Sequence, residues 1–136
     1  DAQQRYSNQL TNTEFVVAPG STWAKQFAST PTDIAVLYLD NFDYIWDVNN
    51  ITAEIRLQIQ EYSGQGITMN NQNCQEEHRL QFECCLPYLD KQSVVIIDDT
   101  FYNNGSWTGK CATVIPLLLQ NGFKLHGNEY ATRGLE

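Results

Sequence analysis

Basic side chains are scarce in this sequence: eight Lys and Arg stand against sixteen Asp and Glu, a formal charge of −8. Such a surface repels phosphate backbones and anionic headgroups, which argues against nucleic acid or a membrane as a direct partner. No run of apolar residues is long enough to cross a bilayer. Motifs that announce a mechanism are also missing, namely a nucleophile elbow, a phosphate-cradling loop and a zinc signature. The two histidines, His78 and His126, stand alone and read as surface or satisfied core residues. Cysteine is present only as Cys74, Cys84, Cys85 and Cys111, without metal-type spacing. Adjacent Cys84 and Cys85 rarely pair with each other, so free thiols acting as small buried hydrophobes are the simpler reading, and with it a cytoplasmic location. The sequons Asn50-Ile51-Thr52 and Asn104-Gly105-Ser106 leave secretion open.

What is there suits a globular domain. The 136 residues are 42% hydrophobic and 12% aromatic, enough for one core, and the whole span 1–136 reads as a single domain. Residues 1–10, with Tyr6 and Leu10 four apart, carry the weak pattern of a solvent-facing helix. Phe15, Val16 and Val17 within 14–18 suggest a buried strand closed by Pro19-Gly20, with a short helix from Ser21. The run Ile34 to Leu39 is apolar on both faces, as an interior strand of a parallel sheet must be, and ends at Asp40. Ile51, Ile55, Ile59 and Tyr62 then recur at helical spacing up to Gly64. A Gly-, Asn- and Gln-rich stretch over 64–73 reads as a surface loop.

A second helix is expected with Leu80, Cys84, Cys85 and Tyr88 on one face, ending near Pro87. The strand Val94 to Ile97 follows and ends at Asp98 and Asp99. A loop over 100–105 leads to an expected helix from about Ser106–Gly109, with Ala112, Ile115, Leu118 and Leu119 inward and a kink at Pro116. Asn121-Gly122 should stop that helix, and 123–130 reads as a last strand. Alternating strands and helices give a mostly parallel, doubly wound α/β sheet.

In open α/β sheets ligands bind beyond the carboxyl ends of the strands, and both acidic termini, Asp40 and the Asp98-Asp99 pair, belong to that edge. If the two strands are neighbours, three carboxylates converge and repel unless a positive charge offsets them. A hard cation such as Mg²⁺ would serve, and could hold a substrate hydroxyl. Turn capping by single Asp side chains is the plainer alternative. Phe42, Tyr44 and Trp46 either line a pocket for a flat ring or cover the adjacent helix.

Leu37-Tyr38-Leu39-Asp40-Asn41-Phe42, followed by Val94-Val95-Ile96-Ile97-Asp98-Asp99-Thr100, resembles the class I S-adenosylmethionine-dependent methyltransferases, especially the metal-dependent catechol type. That resemblance implies a Rossmann-like sheet, methyl transfer to the oxygen of a small acceptor, S-adenosylmethionine as cofactor and Mg²⁺ held by Asp40, Asp98 and Asp99. It maps the adenine pocket onto Gly20, Ser21, Thr22 and Trp23, then Asn41 and Phe42. Asp43 stands where the family carries a basic Lys, which leaves the general base open, with Asp40 and Asp43 as the acidic candidates for catalysis. The family's first strand with its glycine-rich loop, and the acidic residue that holds the ribose, are not found here. Their absence suggests a chain incomplete at its N-terminal side, and the stop at Glu136, where the family's last antiparallel strand would start, leaves the C-terminal side open as well; a homo-oligomer or a partner segment would complete the sheet. The rival expectation is a methyltransferase-like module that binds or assembles without catalysing.

Overall fold

Two apolar segments, β1 (Ile34–Leu39) and β2 (Leu89–Ile97), pair in parallel in the computed structural model of the chain, which describes residues 12–14, 16, 18–29 and 32–126. The register sets Val36 against Val94 and Leu39 against Ile97, with one irregularity between Ile34 and Val36. Because side chains alternate across a strand, Leu39, Val95 and Ile97 share one face, and that face carries the core. Phe82, Cys111, Val114, Ile115 and Leu118 close over it from the helical layer. The opposite face is not covered among the described residues: Val36 is 57% and Tyr38 54% exposed. Interior strand character, expected from apolar residues on both faces of β1, is realised on one face among the described residues. The fold described is α/β with a two-stranded parallel sheet, narrower than a doubly wound one.

The helices follow their local signals. Helix α1 (Gly20–Phe27) starts behind Pro19, α2 (Ala53–Gly64) is capped by the Thr52 side chain, which accepts from the Ile55 N–H at 3.3 Å, and α3 (Asn71–Cys85) is capped by Asn70, which accepts from the Asn73 N–H at 2.7 Å. The expected loop over 64–73 thus ends earlier, at that Asn70 cap. Helix α3 buries Cys74, His78, Phe82 and Cys85, spaced four, four and three apart, whereas Leu80 and Cys84 are only half-buried. The face is rotated from the one expected because Phe82, not the Leu80 side chain, lies over the sheet. Pro87 sits in a 3₁₀ turn (Leu86–Tyr88) that leads into β2. Phe27 of α1 meets the Tyr88 ring edge-on at 5.6 Å, which ties α1 to the far end of α3.

After β2 the chain departs from expectation. In place of a helix near 106–109 it forms a hairpin, β3 (Thr100–Asn103) and β4 (Ser106–Gly109), paired antiparallel. Asn104 and Gly105 turn it with φ of 50° and 83°, the two positive angles that a two-residue type I′ turn requires. Helix α4 (Val114–Gln120) follows, and Pro116 lies in its first turn, where its missing N–H breaks no intrahelical bond, so the reason for the expected mid-helix kink is absent. Gly122, at φ 86°, ends the helix as expected. The proposed helix over 1–10 lies outside the described residues, as do Phe15 and Val17 of the strand over 14–18 and residues 127–130 of the last one. Val16, which is described, is 44% exposed and outside any strand, and Leu125 takes part only in an isolated bridge.

Candidate functional site

Pairing of β1 with β2 sets the acidic strand ends side by side. The Asp98 N–H donates to the Leu39 carbonyl at 3.3 Å, extending the ladder to the point where both chains leave the sheet. Tyr38, one residue before the end of β1, donates its hydroxyl between two carboxylates, at 2.8 Å from Asp98 Oδ2 and 3.0 Å from Asp40 Oδ2. Asp99 adopts φ 47°, a left-handed conformation that Asp tolerates better than most residues. Its backbone N–H turns back to Asp98 Oδ1 at 2.8 Å.

The hairpin then returns the chain to the same spot. Gly109 has φ 103°, and a Cβ there would lie 2.0 Å from the Asp99 carbonyl oxygen, so only glycine lets β4 close against the strand end. Next to it, the Lys110 N–H donates to the Asp99 carbonyl at 3.0 Å, and the Cys111 N–H donates to Thr100 Oγ1 at 3.0 Å. The Lys110 ammonium thereby reaches Asp40 Oδ1 at 2.7 Å and Asp99 Oδ2 at 3.2 Å, with only 9% of its side chain exposed. The expected convergence of the three carboxylates is present, and the positive charge among them is a lysine. No group of three or more ligand-type side chains has a metal-binding arrangement among the described residues.

Titration follows from these contacts. Burial alone would raise the Asp40 pKa, but the bonds from Lys110 and Tyr38 outweigh it and hold the carboxyl below its usual range. Tyr38 is held above its ordinary value by its bond to Asp98, by burial and by Asp40. Burial alone would lower the Lys110 pKa, yet Asp40 and Asp99 raise it above the ordinary lysine value, so it stays charged and cannot serve as a general base near neutrality. Beneath this cluster His78 is fully buried. Its Nδ1 donates to the Cys74 carbonyl at 2.7 Å, which leaves Nε2 as a lone-pair acceptor with no partner among the described residues. Burial pushes the Cys74 thiol up to about 12 and Cys85 to about 11, and Cys111 higher still, so these cysteines are inert core residues, as their free state suggests.

Beside the cluster a cleft of about 450 Å³ opens over the carboxyl end of β1, lined by Glu14, Val16, Ala18, Gly20, Trp23, Tyr38, Asp40, Asn41 and Gln81. Helix α3 joins its walls: Glu77 Oε1 accepts from the Ser21 N–H at 2.6 Å, and Gln81 Nε2 donates to Asn41 Oδ1 at 2.9 Å. A Cβ on Gly20 would fall 2.4 Å from Asn41 Nδ2 and 2.6 Å from the Gln81 amide, so glycine keeps this cradle open. The Trp23 ring, 38% exposed, stacks on Phe27 at 5.3 Å.

Of the residues singled out in the sequence, Gly20, Trp23, Asp40 and Asn41 therefore share one cleft, and Asp98 and Asp99 border it through Tyr38 and Lys110. Ser21 and Thr22 lie on the same helix turn without lining the cleft. Phe42, at φ 68°, packs on Tyr62 at 4.8 Å, and Asp43 is bound to the same tyrosine, accepting its hydroxyl proton at 3.1 Å. Tyr44, Trp46 and Phe101 form a partly exposed aromatic row with ring separations of 4.8 and 5.2 Å. Tyr38, Gln81 and Lys110 are members of the site that sequence reasoning passed over. The Asn104-Gly105 dipeptide was the available signal for Lys110, because a hairpin there returns the chain to Asp99. Comparison with protein-family models, with curated proteins and with solved structures finds no match to this chain.

Proposed function

We propose that the chain forms the cofactor-facing edge of an S-adenosylmethionine-dependent methyltransferase acting on a small acceptor, at oxygen, with β1 and β2 as adjacent strands of a wider doubly wound sheet. The observation that carries this reading is the cleft over the carboxyl end of β1, which joins Gly20 and Trp23 on one wall to Asp40 and Asn41 on the other. Its position fits the rule that ligands of open α/β sheets lie beyond the strand ends. The exposed Val36 and Tyr38 face is one that a second helical layer would cover in a doubly wound fold, because parallel sheets are covered on both faces.

In this reading the Trp23 ring offers a flat apolar surface to a purine, the Asn41 and Gln81 amides offer donors and acceptors to its edge, and Gly20 allows close approach of the backbone. The cofactor supplies an electrophilic sulfonium methyl group. The protein supplies position: acceptor oxygen and methyl carbon must be held in line, and alignment accounts for much of the rate. As the oxygen–methyl bond forms and the sulfur–methyl bond breaks, the acceptor's proton passes to Asp40, the carboxylate that lines the cleft, and Lys110 holds that carboxylate in place.

Isothermal titration with S-adenosylhomocysteine, paired with tryptophan fluorescence, tests this function. Saturable binding that weakens at least about tenfold in Trp23→Ala is expected for a stacked purine. Absence of binding, or binding indifferent to Trp23→Ala, would sink it. Binding without transfer of a labelled methyl group to any small hydroxyl acceptor would instead favour a non-catalytic module.

A further inference from the structure

Three carboxylates at adjoining strand ends invite a divalent cation, yet their oxygens are already engaged. Asp40 Oδ1 and Asp99 Oδ2 face the Lys110 ammonium, Asp40 Oδ2 and Asp98 Oδ2 accept from the Tyr38 hydroxyl, and Asp98 Oδ1 accepts from the Asp99 N–H. Only Asp99 Oδ1 is left without such a contact among the described residues. Mg²⁺ requires oxygen ligands at about 2.0–2.1 Å in near-octahedral array, which a site filled with proton donors does not offer. A divalent ion entering here would also meet the ammonium within a few ångströms, where like charges repel.

Lys110 does not reach this position by chance of a flexible side chain. Its backbone is fixed by the N–H bond to the Asp99 carbonyl, by the Cys111 bond to Thr100 and by the contact that only Gly109 permits. Thr100, 1% exposed, also donates its hydroxyl to the Asp98 carbonyl at 3.0 Å, so the hairpin base and the strand end form one bonded unit. The Asn104-Gly105 turn, the hairpin and Gly109 together deliver an ammonium to the space where three carboxylates meet.

We propose that Lys110 is a built-in cation occupying the place of a divalent metal, so that the site at the ends of β1 and β2 is metal-independent and Lys110 is its positioning residue. The lysine holds both Asp40, which lines the cleft, and Asp99 beside it, and no metal needs to be recruited before a ligand binds. The inference concerns the same site as the methyl-transfer reading, but its test needs no cofactor.

The experiment is a titration of the full chain with Mn²⁺, followed by water-proton relaxation and by calorimetry, with circular dichroism as a control of folding. Wild type is expected to show no saturable binding up to about 10 mM, a range that covers weak cation sites. Lys110→Gln, which removes the charge and retains much of the side chain, is expected to gain saturable Mn²⁺ binding at least about tenfold tighter than wild type, and the second change Asp99→Asn should abolish it. Saturable binding by the wild type that disappears in Asp40→Asn overturns the proposal. So does a folded Lys110→Gln chain that gains no site. Should Lys110→Gln fail to fold, the wild-type titration decides alone. Failure of S-adenosylhomocysteine to bind while the metal results hold removes the methyl-transfer reading and leaves this one standing.

Discussion

The hydroxyl of Tyr38 lies 2.8 Å from Asp98 Oδ2, so a side chain near the end of β1 is tied to the first residue beyond β2. The same proton is shared with Asp40 at 3.0 Å, which makes the phenol a bridge between carboxylates that would otherwise repel. Tyr38→Phe removes the bridge and keeps the ring. Because Tyr38 is 54% exposed, solvent screens most of the gain, and the loss should be about 1 kcal/mol. Urea unfolding at neutral pH measures it. A variant as stable as wild type would mean that water replaces the phenol without penalty.

Gly109 controls the hairpin more strictly. Its φ of 103° and the 2.0 Å approach of a would-be Cβ to the Asp99 carbonyl combine two costs, an unfavourable backbone region and a backbone clash that no rotamer relieves. Gly109→Ala should destabilise the chain by roughly 3 kcal/mol or more, near the upper end of single substitutions. The same change in the turn, Gly105→Ala, meets no atom within 4 Å and pays only for its φ of 83°, so its effect should be about 1 kcal/mol. Denaturation midpoints of the two variants give the comparison, and equal losses would contradict the close approach at Gly109.

Much of this arrangement was legible in the sequence, and the reasons divide cleanly. Apolar runs bounded by Asp identified β1 and β2 as strands, because a short run with β-branched residues and an acidic stop has few other readings. Gly64 closed α2 and Gly122 closed α4 through chemistry local to those residues, whereas the Thr52 cap was not read and leaves Ile51, counted in the expected helix, outside it. The hairpin was read as loop and helix since four-residue strands carry too little periodicity, although Asn104-Gly105 marks a type I′ turn. Lys110 was missed for a different reason. Its partner Asp40 lies seventy positions earlier, so the Asn104-Gly105 turn signals only the return of the chain to Asp99, and the contact with Asp40 needs the β1–β2 register as well. His78 was discounted as isolated, while its burial follows from the rotation of α3 that places Phe82 over the sheet.

Phe82 itself gives a measure of that helix's contribution. It is fully buried in one cluster with Leu39, Val95, Ile97 and the residues of α4, and so links α3 to the sheet. Phe82→Ala removes the largest side chain of the core and leaves a cavity that neighbours on two rigid layers cannot fill. A loss of about 3–5 kcal/mol is expected, large against the stability of a small domain. Thermal unfolding followed by circular dichroism should show a much lower midpoint or no cooperative transition. A shift of only a degree or two would place the core elsewhere.

His78 makes stability depend on pH in a window separate from that of the carboxylates. Burial lowers its pKa from the ordinary 6.5; Lys110 lowers it further, while the Cys74 carbonyl, Glu77 and Asp40 act in the opposite sense without overcoming burial. In the folded chain the imidazole is therefore neutral at a pH where the unfolded chain already binds a proton. Since the unfolded state carries more protons there, stability rises with pH across that window and is complete above 6.5. On acidification it falls from pH 6.5 downward until the folded pKa is reached, with a slope that one proton limits to about 1.4 kcal/mol per pH unit. His78→Gln cannot titrate, so its denaturation midpoint should be nearly flat between about pH 7.5 and 5.5 while that of wild type declines. If the variant declines as steeply as wild type, another group controls acid stability and His78 is not held neutral by its burial.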